Sequence, residues 1–199
     1  MAERLHNASM ILETERLILD SWQTSDWTDF RPIATDPEVM RYITGGVPWT
    51  DERIQTFVER QVKLYAERGF CRWKLVLKAT GELIGFCGVG FWRDAPDPEI
   101  GWWLARRYWG QGLATEAAQA ALRDALERVR LERVISVARP ENTASIRIMS
   151  KLGLELECAF ENEGVRLVRY AMGGPTRDRT NRFHAKTQST QRSQRKERT

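Results

Sequence analysis

Residues 99–116 read Glu-Ile-Gly-Trp-Trp-Leu-Ala-Arg-Arg-Tyr-Trp-Gly-Gln-Gly-Leu-Ala-Thr-Glu. The apolar run Ile100 to Leu104 predicts a buried strand, a basic loop follows with Gly110 and Gly112, and an Ala/Leu-rich helix starts at once. Two glycines let backbone approach a ligand closely, and a helix start offers unpaired N–H groups and the positive end of its dipole. Successive N–H groups in such a loop form a concavity suited to phosphate. Common nucleotide loops fit poorly. A Walker A loop needs Gly-Lys-Ser/Thr where this chain has Gly112-Leu113-Ala114, and a dinucleotide fingerprint needs glycine where Thr115 stands. What remains is Arg107-x-x-Gly110-x-Gly112 between a strand and a helix.

That motif resembles the pyrophosphate loop of the GNAT (GCN5-related) N-acetyltransferases, Gln/Arg-x-x-Gly-x-Gly/Ala. A second stretch, from Asn142-Thr143-Ala144-Ser145 to Lys151-Leu152-Gly153-Leu154, is similar to that family's helix with Asn near its start and Lys-Leu-Gly-Phe at its end. Leu154 stands here for the usual Phe. The opening Glu13-Thr14-Glu15-Arg16-Leu17-Ile18-Leu19 resembles the RimJ/RimL-like branch. The likeness covers about residues 12–172, with both motifs in order.

Outward from these motifs the chain alternates strands and helices, which predicts an α/β domain. Residues 12–20 alternate as a strand. Short helices are expected to about Ala34 and from Pro37, and Thr50 caps a longer one that ends at Gly69. Strands are expected at 70–78 and 83–92, and again at 132–138 after the helix that runs from Leu113 to about Val129. Asn142 caps a helix to Lys151, and a final hairpin pairs 155–160 with 165–172. Gly85, Gly88 and Gly90 precede no helix, so they mark a strand that bends or is closely approached by another backbone. The resemblance implies one GNAT-like domain over 1–172. Its mixed, mostly antiparallel sheet has about seven strands and about four flanking helices, splayed between 99–104 and 132–138.

Composition narrows the chemistry. At 199 residues with 42% hydrophobic content the chain suits one domain with a real core. No run approaches the roughly 18 apolar residues of a membrane span, and residues 1–9 lack a secretory h-region, so a cytoplasmic protein without membrane contact is expected. Cys71, Cys87 and Cys158 are far apart and read as structural thiols. The two histidines, His6 and His184, lie near opposite ends, which leaves no metal site and no histidine-based triad to expect. Residues 173–199 carry a net +6, leaving −2 of the overall +4 for residues 1–172. This basic tail reads as disordered, with weak nucleic-acid or ribosome contact as its possible use.

The resemblance implies acetyl-CoA as donor and direct attack by a primary amine in a ternary complex. It places the pyrophosphate on the backbone from Tyr108 through Trp109, Gly110, Gln111, Gly112 and Leu113 to Ala114, with charge from Arg107. The pantetheine arm is expected along Trp102, Trp103 and Leu104, with Asn142 in contact. Glu99 is a candidate base, and Ser145 a candidate donor to the leaving sulfur. An α-amine, with pKa about 7.7–8.0, needs a base much less than a lysine near 10.4. Trp49, after a Gly-Gly-Val-Pro loop, is the candidate acceptor-pocket residue. The acceptor is expected to be a peptide or small-molecule amine, and the protein a monomer or homodimer. A second reading is a non-catalytic CoA-binding regulatory module tethered to RNA or ribosomes by the tail.

Overall fold

A computed structural model of the chain describes residues 12–91 and 96–173. The elements in order are β1 (Leu12–Glu13), β2 (Leu17–Asp20), α1 (Trp27–Ala34), α2 (Pro37–Met40), α3 (Asp51–Arg68), β3 (Arg72–Leu77), β4 (Glu82–Phe91), β5 (Pro98–Leu104), α4 (Leu113–Glu127), β6 (Val134–Ala138), α5 (Thr143–Lys151), β7 (Glu155–Asn162) and β8 (Val165–Met172). All eight strands form one sheet in the order β1-β2-β3-β4-β5-β6-β8-β7. The expected mixed α/β sheet is thus present, with eight strands and five α-helices among the described residues. The strand predicted over 12–20 is cut in two at Thr14, whose Oγ accepts the Leu17 N–H at 3.0 Å. His6, His184 and the basic tail lie outside the described residues, and none of the described helices is long and apolar enough to cross a membrane.

Local chemistry sets the helix ends. Thr50 accepts the Arg53 N–H, Asp36 accepts the Glu38 N–H, and Asn142 accepts the Ser145 N–H. Gly69 ends α3 with φ 72°. Ile54 and Val58 on α3 are buried, as are Ala117, Ala118, Ala121 and Ala125 on α4. They pack with Phe30, Trp73, Leu75, Ile84 and Ile100 into one core. Cys71 and Cys87 are buried in it, and burial pushes both thiols far above their ordinary value, so neither supplies a thiolate. Cys158 is half-buried.

Two features of the sheet position the site. At Gly85 an added Cβ would stand 2.0 Å from the Trp103 carbonyl oxygen, and at Gly88 2.3 Å from that of Cys71, so both are points of close backbone approach. The second feature is a break. β5 pairs with β4 over its full length, Gly85↔Leu104 to Phe91↔Pro98, but with parallel β6 only at Glu99↔Ile135.

Gly85→Ala is therefore expected to lower stability by about 1–3 kcal/mol or more, read by thermal and urea unfolding. Gly101→Ala, whose Cβ would meet only the Arg72 Nε at 3.6 Å, should stay within about 1 kcal/mol of wild type. Equal losses at the two positions would contradict the close-approach account.

Candidate functional site

The break between β5 and β6 is made by side chains that take the place of ladder partners. Ser136 Oγ donates to the Ile100 carbonyl at 2.9 Å. The Glu99 carboxylate accepts from the Val137 N–H, one step along β6. Glu99 is 7% exposed and receives the Arg72 guanidinium at 2.5 Å. Beyond this point the groups that β5 turns toward β6 have no ladder partner among the described residues. They are free to bind a polar chain laid in the gap.

Arg72 reaches Glu99 across glycines. A Cβ at Gly90 would lie 3.2 Å from the Arg72 guanidinium, so β4 makes way for the side chain, and Gly101 on β5 lies under its Nε. The backbone of Arg72 is clamped as well: its N–H donates to Gln61 Oε1 at 3.1 Å and its carbonyl accepts from Trp22 Nε1 at 2.5 Å. Burial pushes the Glu99 carboxyl up, and the Arg72 charge and the hydrogen bonds oppose it. The balance lies above the ordinary carboxylate value. The carboxylate therefore holds a proton more readily than an exposed glutamate does.

At the far end of β5 the chain makes a 3-10 turn over Arg106–Tyr108 and enters the glycine loop. Gly110 and Gly112 have φ 74° and 78°, a region that glycine occupies without cost. Space is open within 4 Å of a Cβ at Gly110. The N-cap of α4 is Gly112, with no side-chain cap, whereas Thr50 and Asn142 cap α3 and α5. The first N–H groups of α4 are left for a ligand, with the helix dipole behind them. Arg16 of the β1–β2 turn holds this loop from behind. Its Nη1 donates to the Gln111 carbonyl at 2.9 Å and its Nε to Glu116 at 2.7 Å, while the Thr14 hydroxyl and the Arg16 N–H donate to the same carboxylate. Burial pushes the Glu116 carboxyl up, but these hydrogen bonds and the Arg16 charge outweigh it and hold the group below its usual range.

Vertex and loop open into one cleft of about 1220 Å³. It is lined by most of the residues singled out from sequence: Trp49, Glu99, Trp102, Trp103, Leu104, Tyr108, Trp109, Gly110, Gly112, Leu113, Ala114, Asn142 and Ser145. Arg107 and Gln111 are not in its lining. The Arg107 guanidinium pairs with Glu82, which also accepts from the Tyr108 hydroxyl, and Arg107 lines a separate hollow of about 600 Å³. Trp103 lies in an aromatic cluster, 4.7 Å from Trp49, 6.4 Å from Phe57 and 5.0 Å from Phe86 by ring centroid. The Trp49 Nε1 is buried with no acceptor among the described residues. The sequence reading missed Arg72, Gln61, Ser136 and the role of Arg16. Its usable signal was an arginine inside the apolar run Phe70-Cys71-Arg72-Trp73.

Residues 16–155 match the family model described as acetyltransferase (GNAT) domain. The chain is 32% identical over 152 residues to the uncharacterized N-acetyltransferase YnaD of Bacillus subtilis, covering 76% of this chain and 86% of that one. It is 35% identical over 142 residues to the FsC-acetyl coenzyme A-N(2)-transacetylase of Aspergillus fumigatus, covering 64% of this chain and 57% of the relative. A solved GNAT-family acetyltransferase from Bacillus anthracis superimposes with a TM-score of 0.69 at 29% identity, over 82% of this chain and 98% of that one.

A group whose folded pKa is depressed adds stability that is full above its unfolded pKa and lost as pH falls through the folded one. The melting-temperature gap between wild type and Glu116→Gln should thus be full at pH 7. It should begin to close near the ordinary glutamate value of about 4.3 and vanish in stronger acid. A gap that does not change with pH would show that the Arg16–Glu116 pair does not hold the loop.

Proposed function

The chain belongs to the GNAT family of acetyltransferases, and from that premise we propose that it moves an acetyl group from acetyl-CoA to a primary amine by direct attack in a ternary complex. The observation that carries this reading is that one cleft joins an uncapped helix start behind two glycines to a pair of strands parted at a buried carboxylate. The first half suits a pyrophosphate and the second a thioester arm with a proton acceptor beside it. The Aspergillus relative, whose name specifies acetyl coenzyme A, supports the same donor.

In this reading the N–H groups from Gly110 to Ala114 hold the pyrophosphate, and the unpaired edge of β5 at Gly101 to Trp103 binds the pantetheine amides. The amine lone pair adds to the thioester carbon, the C–N bond forms, the C–S bond breaks and the sulfur leaves as thiolate. The proton lost by the nitrogen goes to Glu99, directly or through water, and the thiolate takes one from solvent or from the Ser145 hydroxyl. Asn142 is held as the cap of α5, beside the gap into which the acetyl group would enter. Arg72 fixes the Glu99 carboxylate and limits how far burial raises its pKa.

Acetyl-CoA should raise the melting temperature, and free thiol should appear with at least one amine of a broad panel; no thermal shift would sink the donor assignment. Glu99→Gln should lower kcat about 10²-fold with little change in acetyl-CoA affinity. Arg72→Met removes the charge that opposes burial, so the Glu99 carboxyl rises further and the acid limb of the kcat/KM profile moves to higher pH. Arg72→Lys should keep the limb near wild type. An unmoved limb in Arg72→Met would exclude Glu99 as the titrating base.

A further inference from the structure

α4 and α5 are the crossover helices of the parallel strands. β5 and β6 run parallel, and β6 and β7 both lie antiparallel to β8, so β6 and β7 are parallel to each other. Right-handed crossovers then put α4 and α5 on one face of the sheet, where they pack together, and both start from the end at which the glycine loop stands. They form one side of the cleft, through Ala114 and Thr115 on α4 and Ser145, Arg147, Ile148 and Lys151 on α5. α3 packs instead with α1, and its Phe57 lies parallel to the Trp103 ring.

Arg147 and Lys151 are four residues apart, so they rise from neighbouring turns on one face of α5, about 5–6 Å apart at Cβ. At about 1.5 Å per residue they stand about 7 Å and about 13 Å beyond the Asn142 cap. Helical side chains lean toward the N-terminus, which brings the Lys151 ammonium back toward Arg147. Both residues are exposed, and neither the guanidinium nor the ammonium has a partner among the described residues. Lys151 is in the last turn, where a cation also complements the helix dipole, but Arg147 is mid-helix and has no such use.

A pyrophosphate seated on the α4 start lies near the level of the Asn142 cap, because both helices leave the same end of the sheet. Coenzyme A carries a third phosphate, on the ribose next to the pyrophosphate, and a step of one sugar ring down the α5 side reaches Arg147. The other cleft cations without a carboxylate partner among the described residues are placed differently. Arg139 precedes the cap, at the end of β6 where the thioester arm would enter, and Arg53 and Arg60 stand on α3. We propose that Arg147 and Lys151 hold the 3′-phosphate of the donor, so that the protein selects coenzyme A thioesters over those that lack this phosphate. This rests on the donor assignment above and adds to it the residues that read the donor's far end.

The test titrates the full chain by calorimetry with acetyl-CoA and acetyl-dephospho-CoA, which differ only in the 3′-phosphate. Wild type should bind acetyl-CoA at least tenfold more tightly. Arg147→Gln/Lys151→Gln should weaken acetyl-CoA binding at least tenfold, leave acetyl-dephospho-CoA near wild type and so erase the preference. Its melting temperature without ligand should stay near wild type, since both side chains are exposed. Arg53→Gln/Arg60→Gln should keep the preference in full. Adenosine 3′,5′-bisphosphate should compete with acetyl-CoA in wild type and at least tenfold less well in the α5 double variant. Equal affinity of wild type for the two thioesters overturns the proposal while the donor assignment stands. So does an unchanged acetyl-CoA affinity in the α5 variant, or a preference lost in the α3 variant and kept in the α5 variant. No binding of either thioester overturns both.

Discussion

The Arg72–Glu99 pair, buried where β5 and β6 part, is the interaction on which the site depends. A carboxylate with 7% exposure at a sheet junction is costly unless charge and hydrogen bonds offset its lost hydration. Here Arg72 supplies the charge and Val137 an N–H. The rest of the local design serves that contact. Gly90 leaves room for the arginine to cross β4, Gln61 ties its N–H to α3, and Trp22 ties its carbonyl to the turn before α1. Because the carboxylate uses the Val137 N–H and Ser136 uses the Ile100 carbonyl, the parallel ladder cannot continue past its single register pair. The gap is thus a consequence of where two side chains bond.

The other end of the cleft follows the opposite logic. At the vertex, polar groups are satisfied internally, while at the loop they are left open. Thr50 and Asn142 cap their helices, but α4 begins on a glycine whose only contribution is backbone freedom. Unfilled N–H groups are useful to a ligand only if the loop around them is fixed, and the chain fixes it from outside. Arg16, about a hundred residues earlier, bonds the Gln111 carbonyl and the Glu116 carboxylate together, so the loop is held by its carbonyl side with its N–H side clear. Glu116 in the first turn also complements the helix dipole.

How much of this was legible in the sequence divides along the range of the interactions. The strand-loop-helix unit at 98–127, the caps at Thr50 and Asn142 and the close approach at Gly85 are local: period, glycine and capping chemistry name them without a partner. The candidate residues Glu99, Trp49, Asn142 and Ser145 were found the same way or through family likeness, and they share one cleft. Arg107 shows the limit. Its position before the loop suggested charge for phosphate, but Glu82 on the neighbouring strand pairs with it and directs it to the other hollow. Arg72 was invisible for a related reason. Within 70–78 an arginine in an apolar run reads as an edge or exposed position, and only the pairing of β3, β4 and β5 shows that Gly90 clears its path to Glu99. Such contacts depend on strand order, which one sequence does not state.

The same pairing bears on how the cleft divides its work. Glu99, Gly101 and Trp103 share a face of β5, so Arg72, Trp49 and α3 meet over that face while the phosphate loop begins beyond the strand's last residue. A ligand of two parts is thereby asked to place its phosphates and its reactive group at opposite ends of one strand. The loop offers N–H groups and a dipole, while Arg107 is tied to Glu82 and Arg16 to Glu116. Side-chain cations without a carboxylate partner among the described residues line both walls of the cleft, Arg53 and Arg60 on α3 and Arg139, Arg147 and Lys151 at and around α5. Side-chain charge therefore surrounds the cleft rather than marking one of its ends, and what distinguishes the ends is the backbone: open N–H groups at the loop, and a carboxylate bonded to the Val137 N–H where the strands part.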